Sequence, residues 1–70
     1  MKNIGDNVHR IRMSLGMSQD ELSQKLGYVS QSMISTIESG GRRNIRAKTV
    51  QRLARALGCS IDALFEGVEL

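Results

Sequence analysis

The chain has 70 residues, 40% of them apolar, and it carries a formal net charge of +3. A chain of this length buries only about 60% of the surface of its unfolded form, which predicts one small domain over residues 1–70. The two aromatic residues are too few for an aromatic base-stacking platform. The single cysteine excludes an internal disulfide and a zinc site built on several cysteines, and no apolar stretch is long enough to span a membrane. The amino terminus also lacks the apolar run of a signal peptide, so we expect a cytoplasmic protein.

Glycines divide the chain into five segments, and each segment has apolar residues at the three- or four-residue spacing of a helix. The dividing residues are Gly16, Gly27, Gly40, Gly41 and Gly58. The apolar face predicted for the first helix consists of Ile4, Val8, Ile11 and Leu15. The later segments contribute Leu22, Leu26, Ile34, Ile37, Val50, Leu53, Ala54, Leu57, Ile61, Leu64 and Phe65. Since no segment alternates with the two-residue period of a strand, the pattern predicts an all-α fold, a compact five-helix bundle.

Serine residues mark the predicted starts of three helices. Ser18 and Glu21 have the spacing of a capping box, while Ser30 and Ser60 are placed as N-caps before apolar segments. The fourth helix has two possible starts. Asn44 is the better capping residue, whereas Ile45 with Val50 makes the better hydrophobic staple. The two choices place the first residue differently, and both remain open.

Helices predicted over residues 18–26 and 30–39 are joined by only three residues, which is the arrangement of a helix-turn-helix. The outward face of the second helix of this pair consists of Gln31, Ser32, Ser35, Thr36 and Ser39. These side chains are short, polar and uncharged, and serine and threonine do not favour helix formation. They suit contact with base edges in the major groove, where glutamine can bond adenine through two hydrogen bonds. The alternative is a weakly helical surface segment held by its caps and by packing.

Basic residues are concentrated in one part of the chain. Six of the ten fall between Glu38 and Asp62, where there is no acidic residue. They are Arg42, Arg43, Arg46, Lys48, Arg52 and Arg55. This uneven distribution is typical of a protein that binds a polyanion, although a solvated helix face is the alternative.

Three segments in this order resemble the lambdoid phage repressor and Cro family of helix-turn-helix proteins, also called the XRE family. They are residues 16–22 (GMSQDEL), 34–40 (ISTIESG) and 53–58 (LARALG), and the resemblance extends over nearly the whole chain. It implies a fold of the lambda-repressor-like DNA-binding type. It also implies sequence-specific binding of double-stranded DNA by a prokaryotic or phage transcriptional regulator, repressor-like in action.

The resemblance also implies roles for individual residues. The recognition helix would enter the major groove by its amino end and contact bases through Gln31, Ser32, Ser35 and Thr36. Contacts with the DNA backbone would come from Ser18, Gln19, Tyr28, Ser39, Arg42, Arg43, Asn44 and Arg46. Arg12 and Glu38 match an ion pair of the family that holds the recognition helix in place.

The sequence departs from the family pattern at the turn and at the following loop. Tyr28 and Val29 stand between Gly27 and the capping serine, where the family has one residue. The loop that begins at Gly40 is one residue longer, and Ile45 replaces the usual proline. The extra turn residue could tilt the recognition helix, and Tyr28 either touches the backbone of DNA or is a half-buried turn residue.

Other classes of function fit the sequence less well. The chain has one histidine, one cysteine and no carboxylate pair at a catalytic spacing, so we expect neither an enzyme nor a cofactor or metal site. His9 is expected to be solvated and Cys59 to be a small core residue. A protein-interaction module with the same fold, such as an antitoxin or an adaptor, is the alternative function, and the basic stretch counts against it. A membrane-surface helix is also disfavoured, since the fourth helix needs its apolar stripe for the core.

A homodimer is expected because one module this small offers few base contacts. The carboxy-terminal apolar residues in excess of what the core needs are predicted to form its interface. They are Leu64, Phe65, Val68 and Leu70.

Overall fold

The structure is a computed structural model that describes residues 3–27, 30–41 and 45–68. Within these ranges the chain forms five α-helices: α1 (Ile4–Ser14), α2 (Gln19–Leu26), α3 (Gln31–Glu38), α4 (Ala47–Leu57) and α5 (Ile61–Leu64). The same ranges contain no strand, and the predicted all-α, five-helix architecture is confirmed. No helix in the described part of the chain is long and apolar enough to cross a membrane.

The three predicted serine caps are confirmed. The Ser18 hydroxyl accepts a hydrogen bond from the Glu21 amide at 3.0 Å, and the Glu21 carboxylate accepts one from the Ser18 amide at 3.1 Å. Ser30 and Ser60 cap α3 and α5 in the same way, each accepting the amide three residues further along. These caps satisfy amides that a helix leaves without an internal partner, so they set where each helix begins.

The starts of α1 and α4 are less evident from the sequence. Asn3 and Asp6 form a second capping box, with reciprocal bonds of 2.9 and 3.1 Å. Before α4, Arg46 is the N-cap residue in extended backbone and makes no side-chain cap bond. Ile45 and Val50 then occupy the two staple positions, with Ile45 half-buried and Val50 buried. The hydrophobic-staple alternative therefore gives the start of α4.

The core is one cluster of buried apolar side chains to which all five helices contribute. Its members are Val8, Leu22, Leu26, Ile34, Ile37, Val50, Leu53, Ala54, Leu57 and Leu64. Cys59 is half-buried against this cluster, as expected. The bundle therefore depends on a core that no pair of its helices could build alone.

Three apolar residues do not lie where the sequence predicts. Leu15 is 53% exposed because α1 ends at Ser14 and Leu15 is its C-cap. Ile61, predicted on the inner face of α5, is 40% exposed at the first position of that short helix. Leu64, predicted both on the apolar face of the fifth helix and at a dimer interface, is fully buried in the core and so does not lie at an interface, while Leu70 lies outside the described residues. A four-residue helix has room for little more than one inward side chain, and Leu64 occupies that position.

Two polar or small residues of α1 fix how it packs. A Cβ atom on Gly5 would overlap the carbonyl oxygen of Ile37 and lie 2.8 Å from its carbonyl carbon, so α1 approaches the end of α3 as closely as glycine permits. Asn7 is fully buried, and its amide donates to the carbonyl oxygens of Leu64 at 2.7 Å and Glu66 at 2.9 Å. Helix α1 is therefore held against α3 on one side and α5 on the other.

Candidate nucleic-acid interface

Helices α2 and α3 form the predicted helix-turn-helix. Gly27 ends α2 with a φ of +82°, a left-handed conformation that favours glycine, and α3 begins after Ser30. The intervening Tyr28 and Val29 lie outside the described residues. Helix α3 packs against both α1 and α2, and its apolar residues Ile34 and Ile37 are 0% and 1% exposed. Because this apolar face of α3 is buried, the opposite face of the helix points outward.

The outward face of α3 carries the short polar side chains that the sequence predicts there. Gln31, Ser32, Ser35, Thr36 and Ser39 are all exposed. The Thr36 hydroxyl donates to the carbonyl oxygen of Ser32 at 2.9 Å, and the Ser39 hydroxyl donates to that of Thr36 at 2.9 Å. These two hydroxyl groups can therefore only accept from an external group while those bonds persist, since each has one proton.

Gln31 and Ser35 keep more of their hydrogen-bonding capacity. Toward the rest of the described chain their side chains form no hydrogen bond, whereas the hydroxyl of Ser32 shares one with that of Ser30 at 3.0 Å. Gln31 and Ser35 are four residues apart and so lie on the same side of α3. They offer an amide and a hydroxyl, each of which can both donate and accept.

Arg12 and Glu38, the pair that the family resemblance suggests, lie together between α1 and the end of α3. Arg12 Nε donates to Glu38 Oε2 at 2.7 Å, and a terminal nitrogen of Arg12 donates to Oε1 at 2.9 Å. The side chains of Arg12 and Glu38 are only 8% and 5% exposed. The other terminal nitrogen of Arg12 donates to the carbonyl oxygen of Met17 at 2.7 Å, just before α2. One guanidinium thus joins α1 to the end of α3 and to the approach to α2.

Two further side chains contact the Glu38 carboxylate. Gln19 Nε2 donates to Oε1 at 3.2 Å, and His9 Nδ1 lies 2.9 Å from the same oxygen. His9 is 55% exposed, in keeping with a solvated histidine, but the sequence does not indicate its contact with Glu38. Side chains from α1 and α2 thus meet at one carboxylate on the last residue of α3.

Burial and hydrogen bonding act in opposite directions on this carboxylate. Burial would raise the pKa of Glu38, but the hydrogen bonds from Arg12, His9 and Gln19 outweigh it and hold that pKa below its ordinary value. The hydrogen bond with Glu38 raises the pKa of Arg12. Both partners are therefore ionised at neutral pH, and the end of α3 is anchored by a buried ion pair.

The amino end of α2 holds two of the residues expected at the DNA backbone. Ser18 is exposed, but its hydroxyl oxygen already accepts the Glu21 amide. Gln19 is half-buried and donates one amide proton to Glu38, which leaves its second proton and its oxygen for other partners. Asp20 and Glu21 lie in the first turn and place negative charge at this end. Binding of a phosphate at this end of α2 would thus depend on the side chains of Ser18 and Gln19 more than on the helix dipole.

The remaining residues expected at the DNA backbone are only partly described. Ser39 and Arg46 are both exposed, just after α3 and just before α4. Tyr28, Arg42, Arg43 and Asn44 lie outside the described residues.

Part of the predicted basic stretch lines a second surface, where a basic residue from another helix joins it. Lys25 of α2 lines a cleft together with Lys48, Arg52 and Arg55 of α4. Lys25 is far in the sequence from the other basic residues, so its proximity to the basic stretch is visible only in the folded chain. Within the described ranges, no group of three metal-ligating side chains could hold a metal ion.

Known proteins resemble this chain over almost its whole length. A family model described as helix-turn-helix matches residues 8–64. An uncharacterized HTH-type transcriptional regulator, y4dJ of Sinorhizobium fredii, is 41% identical over 59 residues, which cover 84% of this chain and 74% of that protein. Among solved structures, the restriction-modification controller protein C.AhdI from Aeromonas hydrophila matches with a TM-score of 0.81 at 29% identity, over 89% of this chain and 91% of that one. The similarity therefore includes α2 and α3 and the helices that support them.

Proposed function

The chain belongs to the helix-turn-helix family of transcriptional regulators, and we propose that it represses or switches transcription by placing α3 in the major groove of an operator. The observation that carries this proposal is the two-sided character of α3. One side is buried through Ile34 and Ile37, and the other presents only short, uncharged polar side chains to the outside. Such side chains can donate to and accept from base edges in the major groove.

Within this proposal, Gln31 and Ser35 are the principal base-reading residues. Gln31 is the first residue of α3, at the end that enters the groove in this class of protein, and its amide can bond adenine at two positions. Ser35 presents a free hydroxyl on the same side one turn later. Thr36 contributes mainly an acceptor, because its hydroxyl group already donates to the carbonyl oxygen of Ser32. The hydroxyl of Ser32 shares a hydrogen bond with that of Ser30, so it has one partner already.

We propose that contacts to phosphates, which position the protein on the duplex, are made at the ends of the helices. Ser18, Gln19, Ser39 and Arg46 are proposed for this role because they lie at the ends of α2, α3 and α4. The family resemblance adds Tyr28, Arg42, Arg43 and Asn44. Contacts of this kind hold the protein in register on the duplex and carry no sequence information of their own.

We also propose that two copies bind together in the cytoplasm, each reading one half of a two-fold operator. With Leu64 assigned to the core, the apolar surface available near the carboxy-terminal end is that of Ile61, Phe65 and Val68, which are exposed or half-buried. Sedimentation at increasing concentration tests this part, and a monomeric mass throughout would contradict it. The proposal assigns the chain no catalytic step.

The main experiment is selection of bound duplexes from a random pool, followed by binding measurements on the selected site and on unrelated duplex. Gln31→Ala should reduce the preference for the selected site by about 5- to 150-fold, equivalent to the 1–3 kcal/mol of one good base contact. Its affinity for unrelated duplex should stay nearly unchanged. Gln24→Ala is a matched control because Gln24 is exposed on α2 and bonds Asp20 rather than an external group.

A second variant separates positioning from reading. Arg46→Ala should weaken binding to all duplexes alike and lower the slope of log affinity against log salt by about 0.9. Absence of binding to any duplex at about 50 mM salt would refute DNA binding, since electrostatic attraction is strongest there. A Gln31→Ala protein with unchanged discrimination would refute the assignment of Gln31 as a principal base-reading residue, whatever the overall affinity.

A further inference from the structure

A cleft of about 620 Å³ lies between α2 and α4, and its lining includes no residue of α3. Cationic side chains dominate its lining, with Lys25 from α2 and Lys48, Arg52 and Arg55 from α4. The other lining residues are Leu26, Gln51 and Ala56, so no acidic side chain from the described part of the chain lines it. We call this depression the α2–α4 cleft.

The cations of the α2–α4 cleft form an ordered set. Lys48, Arg52 and Arg55 follow one another at spacings of four and three residues, which places them in a single stripe along α4. Lys25 supplies a fourth charge from the last turn of α2. Like charges at this spacing on one helix repel each other, so the stripe does not stabilise the fold. An anion in the cleft would turn that repulsion into attraction.

The described part of the chain supplies no partner for three of these four charges. Toward the other described residues, the side chains of Lys25, Lys48 and Arg55 form no ion pair and no hydrogen bond, and all three are exposed. By contrast, Arg12 is paired with Glu38 at 2.7 Å, and Arg10 lies 3.6 Å from Glu66. The cleft therefore brings together three cationic side chains, Lys25, Lys48 and Arg55, that have no partner among the described residues.

We propose that the α2–α4 cleft is a second phosphate-binding site, separate from the face of α3, which takes a compact anion carrying more than one phosphate group. Arginine binds phosphate oxygens through its planar fork and lysine through its ammonium group, and both types line the cleft. Its volume falls within the roughly 300–1,000 Å³ of sites that hold small ligands. The same chemistry would hold consecutive backbone phosphates of DNA that passes beside α4.

The first arm of the test uses inorganic triphosphate as the probe and calorimetry as the measurement. The unsubstituted protein should bind it saturably at one site, and Arg55→Gln should weaken that binding roughly tenfold or more, as loss of a charge-assisted hydrogen bond would. Arg10→Gln is the matched control, because it removes the same charge from an exposed arginine on α1, outside the cleft. Thermal denaturation of both variants checks that the fold is kept.

The second arm measures duplex affinity against salt concentration for the same three proteins. A salt slope lowered by about 0.9 in Arg55→Gln but not in Arg10→Gln identifies DNA phosphates as the occupant. Selective loss of triphosphate binding with an unchanged salt slope identifies a free oligophosphate instead. The proposal is overturned if Arg55→Gln matches Arg10→Gln in both arms. Because the triphosphate arm needs no duplex, failure of DNA binding would be recognised separately.

Discussion

Substitution of Glu38 by glutamine would remove the negative charge that α1 and α2 share at the end of α3. The Arg12 side chain, only 8% exposed, would keep its charge in place without a counter-charge. Breaking one half of a buried ion pair costs about 3–5 kcal/mol. We expect the lower end, about 3 kcal/mol, because the amide oxygen of glutamine can still accept one hydrogen bond from Arg12.

This loss is large for so small a chain. At about 0.05–0.15 kcal/mol per residue, the whole free energy of unfolding is roughly 4–10 kcal/mol. A loss of about 3 kcal/mol corresponds to a fall in melting temperature of about 12–24 °C for a domain of this size. Glu38→Gln should therefore be folded but strongly destabilised, with the end of α3 loosened.

Urea denaturation followed by far-ultraviolet circular dichroism at neutral pH measures the effect. Glu66→Gln is the control, since that carboxylate is 70% exposed and lies 3.6 Å from Arg10. A surface pair of this kind contributes at most about 1 kcal/mol. Adding Arg12→Met to Glu38→Gln should recover part of the stability, because the buried charge without a partner is then gone. A loss below about 1 kcal/mol for Glu38→Gln, or an equal loss for Glu66→Gln, would refute the reasoning.

Three further predictions concern the support of α3 and the closure of the bundle. Gly5→Ala should lower the free energy of unfolding by about 1–3 kcal/mol, because the added Cβ would overlap the Ile37 carbonyl oxygen; an unchanged thermal midpoint would contradict this close approach. Asn7→Ala should lower the free energy of unfolding by about 2 kcal/mol, because the carbonyl oxygens of Leu64 and Glu66 lose their donor. Urea denaturation measures this, and a loss within experimental error would show that the two hydrogen bonds do not stabilise the fold. Because folding lowers the pKa of Glu38, its ionised carboxylate contributes fully to the free energy of unfolding above the ordinary glutamate pKa of about 4.3. That contribution is lost as pH falls through the lower pKa of the folded state. Stability measured against pH should therefore decline less in Glu38→Gln over this acidic range, and parallel curves would count against the assignment.

Helix positions could be predicted well because their signals are local. The caps at Ser18, Ser30 and Ser60 are hydrogen bonds to amides three residues away, so short stretches of sequence contain both partners. The start of α4 was ambiguous because Arg46 makes no side-chain cap bond. There, Ile45 packs against the core cluster that includes Val50, and this packing takes the place of a polar cap.

The inner face of α1 shows where apolar periodicity is insufficient. Leu15 was predicted to be buried and is exposed, while Asn7 and Arg12 are buried. Their polar groups are satisfied by partners on other helices, Leu64 for one and Glu38 for the other. A buried polar side chain is stable only with such partners, and those partners are far away in the sequence.

Local sequence patterns are enough to predict the helix-turn-helix and the outward face of α3, because the helical spacing of the apolar residues Ile34 and Ile37 indicates which residues point away from the core. Tertiary packing decides which polar groups are partnered across helices, since the amide of Gln19 on α2 donates to Glu38 at the end of α3. It likewise decides that Lys25 joins the basic stripe of α4. The physical reason is that helix formation depends on neighbours along the chain, whereas the partner of a charge or a hydrogen-bonding group is set by distance in space.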